Sequence, residues 1–192
     1  MRFEDDTSMR LYRQTVEDFG LYPGLELDEQ QMQKLRTAAG EMSAKMRAVR
    51  IVSASSVSKR DLEQRLIHKG EDPEQARQAV QWMSDLDLLD DQKTAEQVVA
   101  RCISKGYGLA RAKQALYEKR IPKEYWEDVL ADYPDQTDSI IAFLQSRLSD
   151  SRDERDRRRA IDALLRKGHS YHSIRRALEQ LSLDTDDFPE ET

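Results

Sequence analysis

Leu66-Ile67-His68-Lys69-Gly70 returns about 50 residues later as Leu116-Tyr117-Glu118-Lys119-Arg120, and again as Leu164-Leu165-Arg166-Lys167-Gly168. A repeat of this kind sets the architecture ahead of any residue propensity. The register also holds away from the landmark. Four residues before each landmark leucine stand Leu62, Ala112 and Ala160. Beyond it come Ala76, Trp126 and Ile174, then Val80, Leu130 and Leu178, then Met83, Tyr133 and Leu181. Every aligned set is apolar, and steps of three and four keep one face of a helix. Each unit therefore reads as a helix, a tight turn and a second amphipathic helix. Gly70 and Gly168 suit the left-handed residue that ends a helix, and the lysine before each complements the helix dipole. Arg120 replaces that glycine, so the middle corner is expected to end differently.

A third helix follows in the first two units. Asp90 or Asp91 can cap one through Ala95, Val98, Val99 and Cys102 to about Ser104, and Thr137 or Asp138 one through Ile140, Ile141, Leu144 and Leu148. After Leu181 only a short acidic stretch remains, which leaves the third unit two helices. The expected organisation is a leader over residues 1–57, a first repeat over 58–107, a second over 108–151, a truncated third over 152–183 and an acidic tail over 184–192. Within the leader, Phe3–Arg13 is a candidate β-hairpin, and Phe19-Gly20-Leu21-Tyr22-Pro23-Gly24-Leu25 a turn. Two helices are expected after it, one from Asp28 through Ala39 and one from about Glu41 through Val49. Ser53-Ala54-Ser55-Ser56 is the expected joint, and Ser58 the cap of the first repeat helix. The fold class is thus all-α, tandem three-helix repeats in an elongated, curved array, with the short hairpin at its start.

Composition agrees. Of 192 residues, 35% are charged, 38% hydrophobic and only 7% aromatic, which suits a thin core spread along a helical array. The chain has no apolar run of membrane-spanning length, and Met1-Arg2-Phe3-Glu4-Asp5-Asp6 lacks the order of a signal peptide, so a cytoplasmic location is expected. Cys102, the single cysteine, reads as a small core residue.

Several separated motifs carry a family resemblance. Ser58-Lys59-Arg60-Asp61-Leu62 with Lys69-Gly70 is similar to the serine-x-x-glutamate-leucine opening and lysine-glycine corner of RecX-type regulatory proteins, the bacterial modulators of the recombinase RecA. Asp87-Leu88-Leu89-Asp90-Asp91 followed by Ala95 resembles that family's glycine-leucine-leucine-aspartate-aspartate signature, with Asp87 in place of glycine and Thr94 where an aromatic is preferred. Lys105-Gly106-Tyr107-Gly108 leading into Arg111 and Leu116 resembles its step into the second repeat. The stretch from Leu165-Arg166-Lys167-Gly168-His169-Ser170-Tyr171 through Ile174 resembles the third repeat, and Phe19 to Leu27 with Asp28-Glu29 the leader. The resemblance spans roughly residues 15–181. It implies a protein that binds along or at the end of the RecA filament on single-stranded DNA and inhibits ATP hydrolysis and strand exchange, with a place in recombination, DNA repair and the SOS response. It implies no cofactor, and a monomer is expected.

Charge supplies a separate argument. The net charge is −6, yet residues 152–183 carry nine Lys/Arg against five Asp/Glu, residues 184–192 five acids and no base, and residues 1–30 eight acids and three bases. Arg152, Arg155, Arg157, Arg158, Arg159, Arg166, Lys167, Arg175 and Arg176 are candidates to meet filament DNA or acidic RecA surface. For Arg152 to Arg159 an alternative of equal weight is pairing with Asp153, Glu154, Asp156 and Asp162 along one helix. For Arg166, Lys167, Arg175 and Arg176, with few acids nearby, the contact reading is favoured. A second cluster, Lys105, Arg111, Lys113, Lys119, Arg120 and Lys123, surrounds the corners of the second repeat, where solubilising lysines are an equal alternative. Tyr107 could stack on a base, though packing over a helix gap explains it more simply. Trp82 and Trp126 read as packing residues, and Asp90 and Asp91 as caps.

Catalysis finds no support. His68, His169 and His172 are the only histidines, and the last two read as a surface pair without further metal ligands at the required spacing. No phosphate-cradling glycine loop or activated nucleophile appears. The remaining alternatives are a helical-repeat adaptor indifferent to RecA and an autonomous nucleic-acid binder. Net charge −6 opposes strong binding to free DNA.

Overall fold

The helix corners organise this molecule. A computed structural model describes residues 8–148 and 153–181, which form ten α-helices and fall into two compact units, residues 1–90 and 91–192. No strand element runs through the described residues, and no helix among them is long and apolar enough to cross a membrane. Of the stretch expected as a hairpin, residues 3–7 lie outside the described residues, and Arg13 already opens a helix.

The first unit holds α1 (Arg13–Asp18), α2 (Glu29–Ala54), α3 (Lys59–His68) and α4 (Pro73–Asp85). Helix α2 starts on a capping box, in which Asp28 Oδ1 accepts the Gln31 amide (2.7 Å) and Gln31 Oε1 accepts the Asp28 amide (2.9 Å). It runs unbroken for 26 residues, where two helices were expected. Gly40 does not break it. A Cβ there would meet the amide end of the Gln75 side chain on α4, a flexible group that can move aside. As expected, Ser58 caps α3, its Oγ accepting the Asp61 amide at 3.0 Å. Ala44 and Ala48 of α2, Leu62 and Leu66 of α3, and Ala76, Ala79, Val80 and Met83 of α4 form the core, with Val57 and Leu89.

The second unit holds α5 (Asp91–Ser104), α6 (Leu109–Glu118), a 3₁₀ turn (Lys123–Tyr125), α7 (Trp126–Leu130), α8 (Thr137–Leu148), α9 (Glu154–Arg166) and α10 (Tyr171–Gln180). One core joins α5 to α6 through Ala95, Val98, Val99, Leu116 and Ile121, with Trp126, Leu130 and Tyr133 packed against it. A second joins α8, α9 and α10 through Ile140, Leu144, Ala160, Ile161, Leu164, Ile174, Ala177 and Leu178. The three cores thus draw on α2–α4, α5–α7 and α8–α10, so each helical pair is completed by the helix before it. The boundaries expected at residues 58, 108 and 152 completed each pair with the helix after it, and left the last pair short. That last pair is completed by α8.

The second amphipathic helix of the middle repeat was expected to reach Tyr133. It is only the five residues of α7, entered through a 3₁₀ turn behind Pro122. Pro134 also disfavours helical geometry at Tyr133. The start of α8 differs from expectation in its cap. Thr137 and Asp138 lie inside the first turn, and Asp135 ahead of it accepts the Thr137 amide (2.9 Å) and hydroxyl (2.6 Å) at its Oδ1.

All three repeated corners close in one way. The residue after the last helical turn is left-handed at Gly70 (φ 90°), Arg120 (φ 54°) and Gly168 (φ 87°). Its amide, and the next one, return to the helix in a Schellman motif, with the second bond ending on the carbonyl of Leu66, Leu116 or Leu164. Arg120 therefore adopts the glycine geometry instead of ending the corner differently. Asp87, which stands where the resembling family has glycine, is left-handed too (φ 55°).

Candidate regulatory interface

In each corner the residue after the left-handed one is buried: Glu71, Ile121 and His169. Ile121 joins an apolar core, as the motif favours. The other two make polar clamps. Within the first unit Glu71 Oε1 accepts from Arg47 Nε (2.5 Å) and Ser43 Oγ (3.0 Å), fastening α2 to the α3–α4 corner. Within the second, His169 Nε2 donates to the Gly106 carbonyl at 3.0 Å. That carbonyl can only accept, which fixes the proton on Nε2. Burial, with Lys167 nearby adding to it, lowers the His169 pKa, and the Gly106 bond partly offsets this. The expected surface pair with His172 is therefore not formed, since His169 is buried and His172 exposed.

This clamp belongs to a wider backbone junction between the α5–α6 and α9–α10 corners. The Gly108 amide donates to the Lys167 carbonyl (3.0 Å) and the Ala110 amide to the Gly168 carbonyl (3.3 Å). A Cβ on Gly108 would collide with the Gly168 carbonyl, and one on Gly168 with the Arg111 backbone, so only glycine permits this approach. Tyr133 donates its hydroxyl to the Tyr107 carbonyl at 2.6 Å, and burial pushes its pKa up to about 12, so it stays a donor. Tyr107 is half-buried at this junction, with Lys105 Nζ 6.0 Å from its ring centroid. A cleft opens beside it, lined by Leu109, Lys113, Pro134, Gln136, Ser170 and Ser173 among others.

The members of the two cationic clusters differ in what they touch. Arg158 pairs with Glu154, Arg159 with Asp156 (3.2 Å) and Arg175 with Glu179 (3.3 Å), all along their own helices. Arg176 bridges to the Asp135 carboxylate and the Thr137 hydroxyl (2.8 Å), tying α10 to the start of α8. The bond from the Thr137 hydroxyl, chiefly, holds the Asp135 pKa below the usual carboxylate range, with Arg176 contributing. Few acids were expected around Arg175 and Arg176, yet both have one. Lys167 Nζ lies 4.4 Å from the Phe143 ring centroid. Arg155 and Arg166 are exposed, with no ion pair to a described residue. Arg157 is half-buried with interactions of its own, and Arg152 lies outside the described residues.

In the second cluster Arg111 Nη1 is 3.1 Å from Glu118 Oε1. Lys113 and Lys123 are exposed without such a partner, while Lys119 and Arg120 have interactions of their own. Tyr117 on the same helix is 67% exposed, the most of any large apolar side chain among the described residues. Its sequence signal was masked, because position 117 sits inside the repeat landmark and was read only as an echo of Ile67. Trp82 is half-buried with Lys45 Nζ 5.7 Å from its ring centroid, and Trp126 donates Nε1–H to the Ile121 carbonyl (3.1 Å). Cys102 is buried, and its thiol pKa is raised by that burial. Among the described residues no three His, Cys, Asp or Glu side chains gather as a metal site.

Comparison with known proteins finds relatives of these elements. The family model described as "RecX, second three-helix domain" matches residues 90–130, the span of α5 to α7. The regulatory protein RecX of Vibrio parahaemolyticus is 24% identical over 143 residues, which cover 73% of this chain and 92% of that one. The protein of the same name from Xanthomonas campestris is 28% identical over 140 residues, 71% of this chain and 86% of the relative. In fold, the chain is similar to a crystal structure of regulatory protein RecX (TM-score 0.65, 20% identity, 94% of this chain and 90% of that one). It is likewise similar to RecX from Lactobacillus salivarius (TM-score 0.64, 23% identity, 76% and 98%). With α5–α7 matched as a unit and relatives of 24–28% identity aligned over 71–76% of its length, the chain is similar to the regulatory RecX proteins in sequence and in fold.

Proposed function

We propose that this protein is a negative regulator of RecA that binds the RecA filament on single-stranded DNA and suppresses its ATPase and strand exchange without chemistry of its own. The observation that carries this reading is the similarity to RecX proteins over most of the chain. Exposed cations of the second unit support it: Lys113, Lys123, Arg155 and Arg166 have no ion pair to a described residue and can meet phosphate or carboxylate on a partner. Arg158, Arg159, Arg175 and Arg176 hold acids within the chain and contribute as members of paired surfaces. The action is stoichiometric binding by a monomer, strongest where RecA and DNA are present together, since the net charge of −6 opposes free DNA.

The test is the DNA-dependent ATPase of preassembled RecA filaments while the protein is titrated in, beside its binding to the same DNA without RecA. The expected result is loss of ATPase at concentrations that barely occupy free DNA. An unaffected ATPase would overturn the reading in favour of a helical adaptor. Inhibition only where free DNA is already saturated would favour autonomous nucleic-acid binding.

A further inference from the structure

We infer that the second unit carries a latched hinge, in which α8–α10 swings as one body against α5–α7 about Pro134, and the junction of the α5–α6 and α9–α10 corners is the latch. Among the described residues the two cores have no member in common. The chain passes once between them, and both sides of the crossing are held. On one side Tyr133 packs on the α5–α7 core and donates its hydroxyl to the Tyr107 carbonyl (2.6 Å). On the other, the Asp135 carboxylate accepts from Thr137 and Arg176, and the Gln136 carbonyl accepts the Ile140 amide (3.0 Å), so both residues belong to α8–α10. Pro134 alone lies between, exposed to solvent. Its ring fixes φ, so a swing falls on its ψ and on the φ of Asp135. Hinges are loop or element-terminal residues of this kind, between elements that move as wholes.

The latch is polar, and so it can open. The end of α9 leaves carbonyls that no intrahelical amide reaches, and the start of α6 leaves amides that no intrahelical carbonyl reaches. These two helix ends cap each other, Gly108 on the Lys167 carbonyl (3.0 Å) and Ala110 on the Gly168 carbonyl (3.3 Å), and α6 has no side-chain cap among the described residues. Water takes over such groups when the ends part, whereas parting two apolar faces has no such replacement. His169 follows the same logic. At the corner position where Ile121 joins a core, this buried imidazole crosses to the Gly106 carbonyl of the other body (3.0 Å), a bond that water also replaces. Gly108 and Gly168 let the corners meet closely with no interlocking side chain. When the latch opens, each body therefore keeps its own core. The swing turns exposed Arg155 and Arg166 relative to exposed Lys113 and Lys123, so the spacing of the two sets adjusts to a partner.

Only that use of the swing rests on the proposed function; the hinge itself is tested without RecA, and the ATPase result judges regulation separately. Relaxation-dispersion NMR on the full chain reads hinge motion on the microsecond-to-millisecond scale. The amides of Gly108, Ala110, Gly168 and His169 are expected to share one exchange rate and one minor population, while Val99 and Leu144, in the two cores, show no such exchange. Gly108→Ala, whose Cβ collides with the Gly168 carbonyl, should raise that population about tenfold, with hydrogen-exchange protection of Val99 and Leu144 kept within about twofold. In His169→Gln, which retains a donor for the Gly106 carbonyl, the rise should be smaller than in His169→Leu. Exchange confined to Gly108 and Ala110 would overturn the inference, since it would mean that α6 frays alone. So would the absence of a shared process in both the unaltered protein and Gly108→Ala. Loss of core protection or of folding in Gly108→Ala would overturn it as well, because the second unit would then be one cooperative body.

Discussion

His169 and Glu71 occupy the corner position that Ile121 fills with an apolar side chain, and the difference is what each must fasten. Burial holds the pKa of this imidazole, His169, which donates through Nε2, below the ordinary value of 6.5. The unfolded chain therefore binds more protons than the folded one once pH falls below that ordinary value, and stability declines with falling pH until the folded group also protonates. Unfolding in urea, followed by Trp126 fluorescence in a Trp82→Phe background, should show a midpoint that drops between pH 7.5 and pH 5.5. In His169→Gln, which retains a donor for the Gly106 carbonyl, that drop should shrink. An equal drop in both proteins would show that His169 is not the responsible group. The landmark leucines were legible from sequence because their role is local, each accepting the closing bond of its own helix. The clamps were not, because Glu71 meets Arg47 and His169 meets Gly106 across long stretches of chain that no spacing rule connects.

At the scale of elements, two corners use a residue that geometry disfavours. Asp87 and Arg120 are left-handed at φ 55° and 54°, a conformation costing a side-chain-bearing residue about 1–2 kcal/mol. Arg120 has interactions of its own, so Asp87 is the cleaner probe. Asp87→Gly should relieve the strain, lose part of the gain to the freer unfolded chain, and stabilise the first unit by about 0.5–1 kcal/mol. The urea midpoint reported by Trp82 measures this. A lower midpoint would mean that the Asp87 carboxylate stabilises the α4 end more than its backbone strains it. Helix existence was legible from the three-and-four spacing, and so was the cap at Ser58. The phase of the repeat was not. A helix–corner–helix pair has apolar faces that a helix on either side could cover, and nothing in their spacing says that α2, α5 and α8 do so.

For the whole molecule the governing quantity is how charge is distributed over a chain of net −6. The cationic clusters were visible as tallies, but a tally cannot separate Arg176, held by Asp135, from Lys113, which faces solvent. That sorting depends on which acids folding delivers, and Asp135 lies 41 residues from Arg176. The acids left out of such pairing still act at a distance. Residues 184–192, which lie outside the described residues, carry five acids and no base, and converting those to Asn and Gln takes the net charge from −6 to −1. A less negative chain approaches a phosphate polymer against a smaller repulsion, so association with a single-stranded oligonucleotide should quicken, by roughly three- to tenfold at low salt. Screening shortens the reach of charge to about 10 Å near 0.1 M salt, so the advantage should shrink steeply as salt is raised, while dissociation changes little. Stopped-flow association at several salt concentrations reads both rates. An advantage that persists at high salt, with slower dissociation, would mean that the acidic stretch competes for the exposed cations by direct contact and not through the field of the whole chain.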